Sequence, residues 1–106
     1  MAGFTSLYGF TGLALEKARE LVEHALKVKL HAHESFYHGG DYYRLEQEDV
    51  TLILQRNYDC IDDEDFAEPE FPNVEVLLYL DGCERAMELE RLLVTRVPEA
   101  VFLRRD

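Results

Sequence analysis

Two stretches of the chain repeat apolar residues at the three- and four-residue spacing of an amphipathic helix. In residues 12–28 this stripe is formed by Ala18, Leu21, Val22, Ala25 and Leu26. A second stripe is formed by Ala86, Leu89, Leu92 and Leu93, and it ends before Pro98. Asp81 is predicted to cap this second helix, because Glu84 follows three residues later as in a capping box.

Elsewhere apolar and polar residues alternate, which is the period of a β-strand. The alternation predicts strands over residues 30–37, 41–46, 49–57, 74–80 and 101–103. The glycine pair in residues 38–41 predicts a tight turn between the first two of these strands. Arg104, Arg105 and Asp106 are predicted to form a solvated tail. The pattern of residues 1–10 leaves open whether they contain a strand.

The order of these elements predicts the fold class. A helix is followed by three antiparallel strands, an irregular loop over residues 58–73, a strand, a helix and a last strand. Each helix presents one apolar stripe, so both are expected on the same face of the sheet. The 106 residues therefore predict a single α+β domain, a two-layer sandwich with a mainly antiparallel sheet of four to five strands and two helices packed on one face.

The predicted loop carries most of the charge imbalance of the chain. The chain has 22 acidic and 11 basic residues, a formal net charge of −11. Seven of the acidic residues fall within twelve positions: Asp59, Asp62, Asp63, Glu64, Asp65, Glu68 and Glu70. Like charges concentrated in this way oppose compaction and attract basic partners at long range. A basic protein is therefore the expected electrostatic partner.

Composition also excludes several classes of partner and location. Nucleic acid and anionic membrane surfaces are poor partners, because both are bound through Lys and Arg. The chain has no apolar run of about 18 residues, so no membrane span is predicted. Residues 1–10 lack the basic start of a secretory signal, and the two cysteines, Cys60 and Cys83, show no metal or redox spacing. These features predict a cytoplasmic protein with reduced thiols.

Catalytic and metal motifs are weak in this sequence. Neither Ser6 nor Ser35 lies in a nucleophile-elbow motif, and there is no glycine-rich phosphate loop. His31 and His33 share one side of a predicted strand, yet zinc needs three or four ligands. We therefore predict no catalytic residue, no metal and no cofactor. A small metal-dependent enzyme built on these histidines and Glu34 remains an alternative.

Tyrosines surround the predicted hairpin and the start of the acidic loop. They are Tyr37, Tyr42, Tyr43 and Tyr58. Tyrosine offers a large, rigid contact area with a polar end and is enriched in binding hot spots. Because Tyr42 and Tyr43 face opposite sides of a strand, one is expected in the core and the other on the surface.

One region resembles a known class of proteins. Residues 33–44 read H-E-S-F-Y-H-G-G-D-Y-Y-R, and they follow a helix of the type L-E-K-A-R-E-L-V-E. Residues 53–59 read I-L-Q-R-N-Y-D and precede the acidic loop. Over residues 10–80 the chain resembles small immunity proteins of bacterial polymorphic-toxin systems, particularly those of contact-dependent growth inhibition, although Phe36 stands where a smaller residue is expected. The resemblance implies a cytosolic protein that binds and blocks the C-terminal toxin domain of a sibling cell, commonly a nuclease with a basic active site.

Acidity and resemblance together predict an immunity protein, not an enzyme, that neutralises a cognate toxin domain by one-to-one occlusion. The predicted partner-binding residues are Asp59, Asp62, Asp63, Glu64, Asp65 and Glu68, with Tyr42 and Tyr58 as aromatic anchors. The alternative is a self-associating regulatory or scaffold α+β domain, a homodimer formed through an exposed sheet face.

Overall fold

The computed structural model describes residues 3–35, 40–47, 49–57 and 68–105. In chain order the elements are β1 (Phe4–Phe10), α1 (Leu15–Leu26), β2 (His31–Ser35), β3 (Gly40–Gln47), β4 (Val50–Arg56), β5 (Val76–Gly82), α2 (Glu84–Arg96) and β6 (Val101–Arg105). Most of the predicted turn at 38–41 and most of the predicted loop at 58–73 lie outside the described residues.

Six strands form one antiparallel sheet in the order β2-β3-β4-β5-β1-β6. Strands β2, β3, β4 and β5 lie side by side in chain order. Strand β1 lies between β5 and β6. Strands β5 and β6 therefore run in the same direction on either side of β1. The α+β prediction is confirmed, with six strands instead of four to five. The additional strand is β1, in the segment whose pattern was ambiguous.

The core lies between the sheet and two helices on one of its faces. The predicted stripes supply it, with Ala18 and Val22 from α1 and Leu89 and Leu93 from α2, all fully buried. The facing strand residues are Leu52, Leu54, Val76, Leu78 and Leu80. The 3.6-residue and two-residue periods therefore identify the correct inner faces, and the prediction of both helices on one face is confirmed.

The start of α2 differs from the prediction. Asp81 belongs to β5, where it lies opposite Thr5 of β1, and the N-cap position is Cys83. The acceptor at this helix end comes from Asp49 in the β3–β4 connection, whose Oδ2 accepts a hydrogen bond from the backbone N of Arg85 (3.0 Å). The capping-box prediction is wrong because a residue distant in sequence supplies the cap.

The prediction of a solvated tail is also wrong. Strand β6 extends through Arg105 and pairs with β1, with a shift in register between Leu7 and Tyr8. Because successive residues of a strand face opposite sides of the sheet, Arg104 and Arg105 bind partners on opposite faces. Arg104 pairs with Glu68, and Arg105 pairs with Glu90 of α2.

Candidate functional site

Asn57, directly after β4, holds both ends of the predicted acidic loop. Its side chain is fully buried. The Nδ2 amide donates hydrogen bonds to the carbonyl oxygens of Phe71 and Val74, each at 2.8 Å. The Oδ1 atom accepts a hydrogen bond from the backbone N of Glu68, also at 2.8 Å. One amide therefore satisfies two carbonyls and one N–H of the chain that returns from the loop.

This arrangement makes the acidic segment a closed loop. The chain leaves the sheet at Asn57 and returns at Glu68, and these two residues are hydrogen-bonded to each other. Between them lie residues 58–67, which are outside the described residues. That interval contains Tyr58 and five of the predicted partner-binding carboxylates, Asp59, Asp62, Asp63, Glu64 and Asp65. Their predicted contacts with a partner stay predictions.

Glu68 forms a second fixed point where the loop ends. Its carboxylate accepts two hydrogen bonds from the Arg104 guanidinium (3.0 and 3.1 Å) and one from the Tyr79 hydroxyl (2.9 Å). Only 13% of the Glu68 side chain is exposed. Burial, followed by the hydrogen bond to Glu68, raises the pKa of Tyr79 well above its ordinary value. Glu68 therefore anchors the loop, and its predicted contact with a partner stays a prediction.

The returning chain packs closely over the helix-free face of the sheet. A Cβ atom at Gly9 of β1 would lie 2.6 Å from Cγ1 of Val74 and 2.9 Å from Cδ1 of Leu103. Only glycine at this position lets Val74 approach β1 so closely. Asn57, Glu68 and Gly9 thus fix residues 68–74 against β1, β4 and β5.

The two central tyrosines face opposite sides of β3, as predicted. Tyr42 lies opposite His33 of β2 and stacks on its ring, with centroids 5.3 Å apart. Tyr43 packs against the core beneath the Arg19 guanidinium, which is 5.0 Å from the ring centre. Only 9% of Tyr42 is exposed, so it offers a partner less contact area than the exposed aromatic anchor that the sequence predicts. Its role in binding stays a prediction.

The histidine pair lies on β2 at one edge of the sheet. His31 and His33 are exposed and line a hollow of about 520 Å³ together with Arg44 and Glu46. Within residues 3–35, 40–47, 49–57 and 68–105, no group of three His, Cys, Asp or Glu side chains is placed to hold a metal ion.

A second cluster of Tyr, Glu and Arg lies on the helix side of the sheet. Glu90 of α2 accepts hydrogen bonds from the Tyr8 hydroxyl and from the Arg105 guanidinium, and it is 8% exposed. Burial and the hydrogen bond to Glu90 raise the pKa of Tyr8. The sequence signal for this cluster is the position of Glu90 inside the apolar stripe, four residues after Ala86 and three before Leu93. Glu90 is not among the predicted site residues.

Most of the basic side chains are engaged within the molecule. At least seven of the eleven pair with a glutamate in the described residues. They are Lys17, Arg19, Arg44, Arg56, Arg85, Arg104 and Arg105. Because each pair is neutral, the acidic residues without such a partner dominate the field around the protein.

The chain matches no protein-family model, no curated protein and no solved structure. Among the described residues, neither α1 nor α2 is long and apolar enough to cross a membrane.

Proposed function

We propose that this chain is an immunity-type protein that binds and neutralises a basic toxin domain, such as a nuclease, by one-to-one occlusion. One observation carries this proposal. The ten-residue acidic interval between Asn57 and Glu68 is closed at its base by a hydrogen bond between these two residues. The closed base supports the proposal that the five carboxylates of this interval act together on one partner.

Closure of the loop favours binding for an entropic reason. Bringing the ends of a flexible segment together costs conformational entropy, and in this protein folding has already met that cost. A partner that contacts the loop therefore meets a smaller loss of conformational entropy than it would on an open tail of the same length. The carboxylates would occupy the positions of substrate phosphates against the Lys and Arg residues of the toxin.

Charge also supports the proposal. A concentrated acidic surface steers a basic partner toward it and raises association rates by about 10–10³-fold at low ionic strength. A standard interface takes about 800 Å² from each partner, or about an eighth of the 6340 Å² surface. One face of the domain could therefore supply such a contact.

Two charge-matched variants test the proposal. The loop variant is D62N/D63N/E64Q/D65N, and the control is E20Q/E84Q/E88Q/E99Q, which neutralises exposed acids elsewhere. Both have a formal charge of −7. The partner to be tested is the product of the gene next to this chain's gene, and the proposal expects it to be a large secreted protein with the toxin as its C-terminal domain. Association rates are measured at low and physiological salt, and protection is measured by co-expression and growth.

We expect the loop variant to associate at least about tenfold more slowly at low salt and to lose protection. The control should retain protection and most of the association rate, since its neutralised acids lie away from the loop. Equal effects of the two variants would mean that only net charge matters. Full protection by the loop variant, or no binding of the neighbouring domain by the unmodified chain, would contradict the proposal.

A further inference from the structure

Three of the large apolar side chains that are exposed in the described residues gather on one patch. Met87 and Val94 of α2 are 46% and 61% exposed, and Phe102 of β6 is 51% exposed. Met87, Val94 and Phe102 line a hollow of about 610 Å³ between α2 and β6. An apolar patch of this kind on a soluble domain indicates a site of protein contact.

The geometry of the two layers explains why this patch is uncovered. Six strands at about 4.8 Å spacing make a sheet about 24 Å wide, whereas two helices of about 10 Å diameter cover only about 20 Å. The helices pack on β4 and β5 near the middle of the sheet. Strand β6 at the end of the sheet therefore extends beyond α2, and the helix-side surface of Phe102 is left open.

The polar groups beneath the patch are already satisfied by one another. Glu90 accepts hydrogen bonds from Tyr8 and Arg105, so its charge is compensated within the domain. Covering Glu90 and Arg105 would therefore bury no unpaired charge, and among the charged residues that line the hollow only Arg91 has no ion-pair partner within the described residues. An occupant therefore needs to offer mainly apolar side chains.

The charges on the exposed edge of α2 identify the occupant. Glu84 and Arg91 are seven residues apart, about 10 Å along the helix, on the side that carries Met87 and Val94. Neither has an ion-pair partner in the described part of the chain. An antiparallel second copy of α2 would place each Glu84 opposite the other copy's Arg91 and the two Met87 side chains against each other. This edge is therefore complementary to itself, as a two-fold interface requires.

We propose that the chain forms a two-fold symmetric dimer in which α2 packs antiparallel against α2 of a second copy. Met87 lies at the axis and reciprocal Glu84–Arg91 ion pairs flank it. The inference does not depend on the proposed toxin binding, because it concerns the helix side of the sheet and not the acidic loop. A 13-residue helix is only about 20 Å long. The interface is therefore at the small end, below about 1,200 Å² in total, and dissociation in the micromolar range or weaker is expected.

The test is the mass of the intact chain over a wide concentration range. Sedimentation equilibrium from about 10 µM to about 1 mM should show the mass rising from 12.4 kDa toward twice that value. Met87→Glu places two like charges at the axis and should leave a monomer throughout this range. His24→Glu adds the same charge on the exposed side of α1 and should dimerise like the unmodified chain. Circular dichroism and thermal melting establish that both variants are folded.

A charge exchange tests the arrangement itself. Arg91→Glu sets two acids opposite each other and should weaken dimerisation at least about tenfold. Glu84→Arg in the same chain restores opposite charges and should recover most of that loss. A chain that is monomeric at every concentration, or a dimer that persists in folded Met87→Glu, would overturn the proposal. Equal weakening in the single and double variants would overturn the antiparallel pairing of Glu84 with Arg91.

Discussion

Replacement of Asn57 by alanine tests whether one amide holds the base of the acidic loop. The side chain is fully buried and makes three hydrogen bonds, to the carbonyls of Phe71 and Val74 and from the N–H of Glu68. A hydrogen bond of this kind contributes about 0.5–1.5 kcal/mol net, and partners left unsatisfied add to the loss. Asn57→Ala should therefore lower the free energy of unfolding by about 3 kcal/mol.

The assay is urea denaturation combined with thermal melting and amide hydrogen exchange. For a domain of this size a loss of about 3 kcal/mol corresponds to a decrease in Tm of roughly 10–20 °C. Exchange at the amide of Glu68 should accelerate more than exchange in the centre of β4, because the lost bond is local to the loop. Asn73→Ala is the matched control, since it removes the same atoms at an exposed position. It should change stability by less than about 0.5 kcal/mol.

The reasoning fails if Asn57→Ala is as stable as Asn73→Ala. It also fails if stability falls while exchange at Glu68 stays as slow as in the unmodified protein, because the amide would then support the fold without holding the loop.

Three further predictions concern the same face of the sheet. Glu68→Ala should lower the free energy of unfolding by about 1–3 kcal/mol, because it leaves the Tyr79 hydroxyl without its acceptor. Glu70→Ala, at an exposed position, should change the free energy of unfolding in urea by less than about 0.5 kcal/mol. Because the folded state raises the pKa of Tyr79, its contribution to the free energy of unfolding should be fully present below about pH 10, the pKa of an unfolded tyrosine, and should be lost as the pH rises further. Tyr79→Phe should make the free energy of unfolding fall less steeply above about pH 10, and an unchanged slope would contradict this prediction. Gly9→Ala should cost about 1–3 kcal/mol by melting, because the new Cβ would meet Val74 at 2.6 Å; an unchanged Tm would show that residues 68–74 adapt without cost.

Local periodicity predicts an element well when one face of that element is buried and the other is exposed. The stripes of α1 and α2 and the alternation of β3, β4 and β5 each present one clear inner face, and the structure buries those faces. Strand β1 was ambiguous for the same reason. Its residues from Ser6 to Phe10 are buried on both sides of the sheet, so no alternation marks them. A central strand that is covered on both faces loses the signal that identifies an exposed one.

The polar contacts that organise the site could not be predicted in this way. Asn57 and Glu68 are separated by the acidic segment, and Arg104 lies 36 residues beyond Glu68. Asp49, which caps α2 through the backbone N of Arg85, is also 36 residues from Arg85 in the sequence. No local spacing encodes such pairs, because they depend on which strands become neighbours. The resemblance motif includes Asn57 but gives no indication that its side chain bridges the ends of the loop.

Strand β6 connects the two surfaces that we propose for binding. Arg104 holds Glu68 at the end of the acidic loop, while its neighbour Arg105 holds Glu90 beneath the apolar patch on the other face. Because the two arginines point to opposite sides of the sheet, a partner on the loop and a second copy on α2 need not compete. A two-fold dimer would then carry two acidic loops and bind two basic domains at once. Breaking the dimer with Met87→Glu should therefore leave the association rate of each loop with its partner unchanged.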